Sequence, residues 1–497
     1  MGPAVLFPTI QFGIFFPIVF VGSWLLRPRP RRWKLFLIAA SYVFYAFAFK
    51  GHWTPWQGMP LTSSLDWVAW WRKWHYPALF AGVTVANQVV AVGVAESHAA
   101  RVRKVWATVG VVGDLAVLGY FKYYNFFRDD LKLEFLPART VIVPVAVSFY
   151  IFQALSYVID TYREELRPHT LIDFACYLSF FSHVISGPIV RAREFLPQLH
   201  ERFDPRRIDA SLAFRLIVAG MVKKVVVADN LARWIVDPVF SNPRGFSAAE
   251  NLVATYSYAV QIYADFSGYT DIAIGLALLL GIRFPPNFDA PYRAVSLQDF
   301  WRRWHMTLSR WLRDYLYIPL GGNRRGETRT YVNLSLTMLL GGLWHGADLK
   351  FVLWGAIHGL GLAAERFWHS RRDALGFDAG PTVWSRIGGW FLTFHVVCFA
   401  WIFFRAASFD LATQMIGRIA SGWGFHSGLP NLVTPGVIAV VVAMLAAQFV
   451  PAEITVTGVR RFSRLPALAQ GVTLGLAFFA IEHLRPKGVA PFIYFQF

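Results

Sequence analysis

Apolar stretches long enough to cross a bilayer recur along most of the chain, separated by shorter segments in which arginine predominates. The first runs from Met1 to Leu26 and the second from about Trp33 to Phe49. Others lie near Pro77–Ala95, Val105–Phe127, Thr140–Thr161, Leu171–Ile189, Ala210–Val236 and Asn251–Ile282. Further ones follow near Tyr331–Trp344, Phe351–Phe367, Ile387–Phe404, Thr434–Val450 and Pro466–Leu484. A helix rising ~1.5 Å per residue needs ~20 apolar residues to traverse a ~30 Å hydrocarbon core, and most of these stretches approach that. The pattern predicts about ten to thirteen spans. Met1–Leu26 has no basic stretch ahead of it and no small-residue cleavage site, so it reads as a retained span.

Polar punctuation sets the expected topology. Arg27, Arg29, Arg31, Arg32 and Lys34 should lie on the cytoplasmic side, and the Trp- and Pro-rich Lys50–Tyr76 on the outer side. Later the alternation fails, because Arg191–Arg207 and Arg302–Arg329 are both strongly basic. Either an intervening segment does not cross, or it dips in and returns.

Composition removes the soluble alternatives. Of 497 residues, 56% are hydrophobic and 16% charged, against about 25% charged in ordinary globular chains. The chain is therefore expected to be an all-α polytopic membrane protein. A net charge of +18 fits cytoplasmic loops facing anionic headgroups better than nucleic acid, which is not expected as a partner. Cys176 and Cys398, both in apolar stretches, give no disulfide framework. No H-x-x-x-H or Cys–His set indicates a structural metal, and no metal is expected.

Ionisable residues at membrane depth are costly and mark candidate chemistry. In Ser296–Tyr315, Ser296 and Asp299 form a capping-box-like start, and Trp301, Trp304, Leu308, Trp311, Leu312 and Tyr315 repeat at helical spacing. Arg302, Arg303, Arg310 and Arg313 fall largely on the other side, which predicts one amphipathic helix in the interface with arginines toward phosphates. His305 borders its apolar face, either as a chemical group or as a hydrogen-bonded interfacial histidine. Tyr331–Gly346 ends Gly-Gly-Leu-Trp-His345-Gly. About fifteen residues reach only ~22 Å, so His345 is expected below the membrane surface, as a general base, an acyl carrier or a core histidine. Asp265 and Asp271 interrupt another apolar run, with structural pairing, to arginines, as the first expectation. They could also hold a histidine tautomer or a cation. Gly359–Ala364 fits a dinucleotide fingerprint, but no strand precedes it, and Gly355–Gly359 reads better as helix packing.

These stretches also resemble a known family. Asn287–Arg293, Phe300–His305, Trp311–Asn323 and Leu340–Gly346 are similar to the membrane-bound O-acyltransferases, and closest to the bacterial alginate O-acetylation branch. Phe149–Asp160 (with Gln153), Gly187–Ile189, Asp265–Tyr269 and Phe492–Phe497 resemble it too. The resemblance implies one domain over 1–497 with its core at about 140–405, N-terminal helices over 1–127 and C-terminal helices over 406–497. It implies about eleven spans plus re-entrant helices around a tunnel. His345 matches the family's catalytic histidine and His305 its companion. Trp304, Trp344, Arg302, Arg303, Arg313, Asn323, Asp265, Tyr269, Asp271 and Gln153 are candidate substrate-binding residues. Acetyl-CoA is the implied donor, with no permanently bound cofactor. A periplasmic SGNH-hydrolase-like partner would carry the group to an exported polysaccharide from a bacterial inner-membrane enzyme. Two other readings stay open at this point: transfer of another acyl group such as D-alanine, and a transporter or flippase without chemistry. The absence of inverted halves with matching broken helices speaks against the transporter.

Overall fold

The computed structural model describes residues 7, 9–48, 67–137, 141–185, 187–375, 382–424, 431–486 and 493. Most of the Trp-rich loop after Lys50 and all of Phe492–Phe497 except Ile493 lie outside them. Among the described residues there are helices and no strands. Two compact units share the chain: Met1–Ile217 with Ile272–Pro285, and Val218–Asp271 with Pro286–Phe497.

The first unit is built on Ile10–Leu26, Pro30–Ala48, Trp67–Glu96, Ala100–Leu118 and Val147–Tyr162. The Thr9 hydroxyl accepts from the Phe12 amide to start the first of these, and Pro30 opens the second at the position where its missing N–H costs nothing. Phe12, Phe44 and Phe181 interlock with ring centroids 5.8–6.4 Å apart. Ile14 and Leu25 on the first helix stand 62% and 75% exposed, as side chains facing lipid do.

In the second unit Trp384 and Leu468 are each 81% exposed, again apolar groups with no protein cover. His75–Glu96, Ala100–Tyr123, Val383–Arg405 and Ala467–Leu484 are long and apolar enough to cross a membrane. The protein is an all-α, multi-pass membrane protein.

Several apolar stretches fold differently from simple spans. Leu171–Ile189 breaks at Phe180 into Leu171–Ser179 and Phe181–Val184, both too short to cross. The predicted Ala210–Val236 helix passes through π-helical turns at Val222–Ala228 and Ala232–Val236. Asn251–Ile282 begins earlier, at Ala248, because Ser247 and Glu250 form a reciprocal cap with the Ser247 amide on Glu250 Oε2 at 2.9 Å. That helix continues for 32 residues to Leu279.

Candidate active site

Asn287 organises the chain around the first histidine. Ser296 caps Leu297–Arg303 as expected, its hydroxyl accepting from the Asp299 amide. The single amphipathic helix predicted to follow is instead broken. Trp304 is extended, His305 sits in the left-handed region at φ 42°, and Met306–Leu312 starts afresh. A histidine held there costs on the order of 1–3 kcal/mol unless its surroundings fix it. Here the Asn287 carbonyl accepts from the Met306 amide at 2.9 Å. Its side-chain Oδ1 accepts from the Thr307 amide at 3.1 Å and the Thr307 hydroxyl at 2.8 Å. The predicted apolar stripe is nevertheless buried, with Trp304 and Leu308 fully enclosed.

The same Oδ1 lies 3.1 Å from His305 Nδ1. A backbone amide can only donate, so the Asn287 atom facing Thr307 is the oxygen, and His305 must carry its proton on Nδ1 to bond it. His305 Nε2 is then a bare lone pair, with no hydrogen-bond partner among the described residues. The ring has no solvent exposure, and Phe266 meets it edge-on at 4.7 Å. Such enclosure favours the neutral imidazole.

His345 ends the helix Glu327–His345. That helix starts at Glu327 and not near Tyr331, so its 19 residues reach ~28 Å and are not too short to approach a full crossing. The burial of His345 comes from packing: its ring centroid lies 5.1 Å from Trp354 and 5.4 Å from Phe404. Gly342 and Gly355 let Glu327–His345 and Leu349–Ala374 touch backbone to backbone, where added methyls would collide with the Phe351 and Met338 carbonyl oxygens. The Gly355–Gly359 packing reading holds. The His305 and His345 ring centroids stand 6.5 Å apart at 54°, and Trp344 is 6.1 Å from His305.

Two buried histidines on facing elements, one with a fixed tautomer, suit proton transfer at an acyl group. The membrane-bound O-acyltransferase (MBOAT) family matches residues 33–423 of this chain. The chain belongs to that family. As a member it is an O-acyltransferase. It is 37% identical to "Probable alginate O-acetylase AlgI" of Pseudomonas putida, over 99% of this chain and all of that protein. "Peptidoglycan O-acetyltransferase" of Helicobacter pylori is 34% identical over 81% of this chain and 77% of its own length. "Teichoic acid D-alanyltransferase" of Streptococcus thermophilus is 26% identical over 59% and 80%.

Within this O-acyltransferase the remaining candidates divide. Trp304 packs 5.2 Å from Trp401 and is a wall of the histidine site. Arg302 is exposed and makes no ion pair among the described residues. Arg303 is committed, at 2.9 Å to Asp289 and 2.8 Å to Asp299, and Arg313 pairs with Asp314 at 2.6 Å. Asn323 is exposed. Asp265 and Asp271 are paired as first expected, but with lysines. Lys224 lies 2.5 Å from Asp265 and 2.8 Å from Asp229, with the Tyr269 ring 5.6 Å away. Lys223 lies 2.5 Å from Asp271. Asp265 also accepts the Ile493 amide at 2.9 Å. The group that holds the histidine tautomer is Asn287, not an aspartate. Gln153 is buried in the first unit.

Sequence reasoning passed over Asn287, Lys224 and His358 as site-building residues. Trp301 Nε1 donates to His358 Nδ1 at 3.3 Å, which makes His358 a support for the tryptophan wall. The available signal was Asn287 directly after Pro285-Pro286, a polar residue where no helix can form.

Proposed function

We propose that this enzyme takes acetyl from cytoplasmic acetyl-CoA and passes it across a bacterial inner membrane for O-acetylation of an exported, alginate-like polysaccharide. An SGNH-hydrolase-like periplasmic protein completes the transfer, because CoA stays inside while the polymer is outside. The full-length similarity to a protein named as an alginate O-acetylase supports the acetyl group and the polymer class.

The observation that carries the chemistry is the His305–Asn287 bond beside His345. In the reaction an acceptor hydroxyl attacks the thioester carbonyl while His345 takes its proton. The tetrahedral intermediate then collapses, the C–S bond breaks, and the thiolate leaves and is reprotonated. Neutral His305, its Nδ1 pinned and its Nε2 lone pair directed away from Asn287, serves as companion base or hydrogen-bond acceptor. Arg302, exposed and outside any ion pair among the described residues, is the arginine assigned to the phosphates of CoA.

The experiment is transfer or hydrolysis of radiolabelled acetyl-CoA by the purified protein, wild type against His345→Ala, with the periplasmic partner present. Label leaving CoA only in the wild type supports the donor and the residue together. Turnover of a D-alanyl carrier protein in place of acetyl-CoA would move the reading to D-alanyl transfer, for which the 26% likeness to a teichoic acid D-alanyltransferase speaks.

A further inference from the structure

A cavity of about 440 Å³ opens in the first unit between the Arg27–Pro30 turn and the segment Leu199–Phe203. It brings the first basic cluster of the chain together with the basic stretch Arg191–Arg207, so both stretches share one face of that unit. By the distribution of arginine this face is cytoplasmic.

One wall is a pre-positioned cation. The Arg27 guanidinium lies 3.6 Å over the Trp33 ring and 4.9 Å from the Phe203 ring, and it donates to the Leu280 carbonyl at 3.4 Å. The residue is only 9% exposed. Gly281, at φ 77°, completes the turn behind it, where a methyl would come 3.2 Å from Phe203. Planar guanidinium held on aromatic faces keeps its remaining N–H groups in a fixed fork, the arrangement that matches phosphate oxygens.

The charge balance of the cavity is positive. Asp173 offsets Lys34 at 2.5 Å and faces His200 at 3.3 Å. His169, Asp173 and His200 stand close enough to suggest a cation site, but the Lys34 ammonium and the Thr170 hydroxyl already take up one carboxylate oxygen each. Arg27 and Arg202 remain, opposed by Glu201, and Arg202 is exposed with no ion pair among the described residues. Exposed Arg29, Arg31 and Arg32 add to the field of this face. The volume is that of a small-ligand site.

We propose that this cavity binds a phosphate ester, with Arg27 and Arg202 as its ligands. A basic pocket on the cytoplasmic edge of a helical membrane unit is suited to an anionic lipid headgroup, and a soluble phosphate compound offers the same chemistry.

The test uses full-length protein, delipidated in detergent and titrated with phosphatidylglycerol or with inorganic pyrophosphate while the melting midpoint is followed. Arg27→Gln and the exposed Arg202→Glu are compared with wild type. The expected result is a rise in midpoint that needs about tenfold more ligand in either variant, as loss of a charged phosphate contact implies. A response to phosphatidylglycerol alone assigns a lipid, and one to pyrophosphate that the lipid does not compete away assigns a soluble phosphate. Equal titrations for wild type and Arg202→Glu overturn the proposal, even where Arg27→Gln fails to fold.

Discussion

Asn287 Oδ1 accepts a hydrogen bond from His305 Nδ1 at 3.1 Å while also accepting one from the amide of Thr307, two residues further on. One side-chain oxygen thereby fixes a backbone break and a histidine tautomer together. Asn287→Ala removes both effects. Groups that orient metal-bound histidines are worth ~10–100-fold in activity, and on the same scale turnover should fall here with the donor KM little changed. Asn287→Asp keeps an acceptor at the same place and should recover more of the rate than alanine does. If alanine and aspartate behave alike, orientation of His305 is not what Asn287 contributes.

His345→Ala should abolish acetyl transfer while the protein remains folded in detergent. His305→Ala should lower turnover severely. General-base contributions run to ~10²–10⁴-fold. Radiolabel release from acetyl-CoA reads both variants. Activity of His345→Ala within about tenfold of wild type would remove that residue from the mechanism on the same scale.

Arg302 and Arg303 are neighbours in sequence with different surroundings. Arg303→Gln removes the cation that bridges Asp289 and Asp299, leaving Asp289 only its longer contact to Arg293, and should lower the melting temperature with little change in donor KM. Arg302→Gln disturbs no ion pair and should raise the donor KM. The reverse pattern would place the phosphate contact on Arg303.

The fold class was legible because lipid exposure leaves its mark in composition, and the stripe from Trp301 to Tyr315 was legible because burial follows helical period. The break at His305 was not, since it is imposed by Asn287 from eighteen residues away and no local propensity encodes it. The short apolar Leu171–Ile189 shows the same limit: hydropathy reports that a segment is buried or lipid-facing, not whether it crosses. Of the site, the two histidines could be singled out individually from their neighbours in sequence. Their proximity, and the lysine partners of Asp265 and Asp271, come from the packing of elements that are far apart in sequence.

Lys224 is the hub of a buried charge cluster, so its removal should act on stability first. Lys224→Met removes the ammonium that Asp229 and Asp265 share. Breaking a buried pair from one side costs about 3–5 kcal/mol, and the protein should lose detergent stability accordingly. Asp265→Asn alone should be milder, because Asp229 still balances the ammonium. Changed donor KM at unchanged melting temperature for Asp265→Asn would instead make Asp265 a substrate contact.

The hairpin that presents His345 depends on glycine where the two helices touch. In Gly342→Ala the new methyl meets the Phe351 carbonyl oxygen, a backbone atom that cannot rotate away. Overpacking of this kind costs about 1–3 kcal/mol, and the displaced helix end carries His345 with it, so melting temperature and turnover should fall together. Gly113→Ala is the control. A methyl there meets nothing within 4 Å, and alanine gains up to ~1 kcal/mol of helix propensity over glycine, so that variant should be neutral or slightly more stable. Equal behaviour of the two variants would mean that close backbone approach at Gly342 does not hold His345 in place.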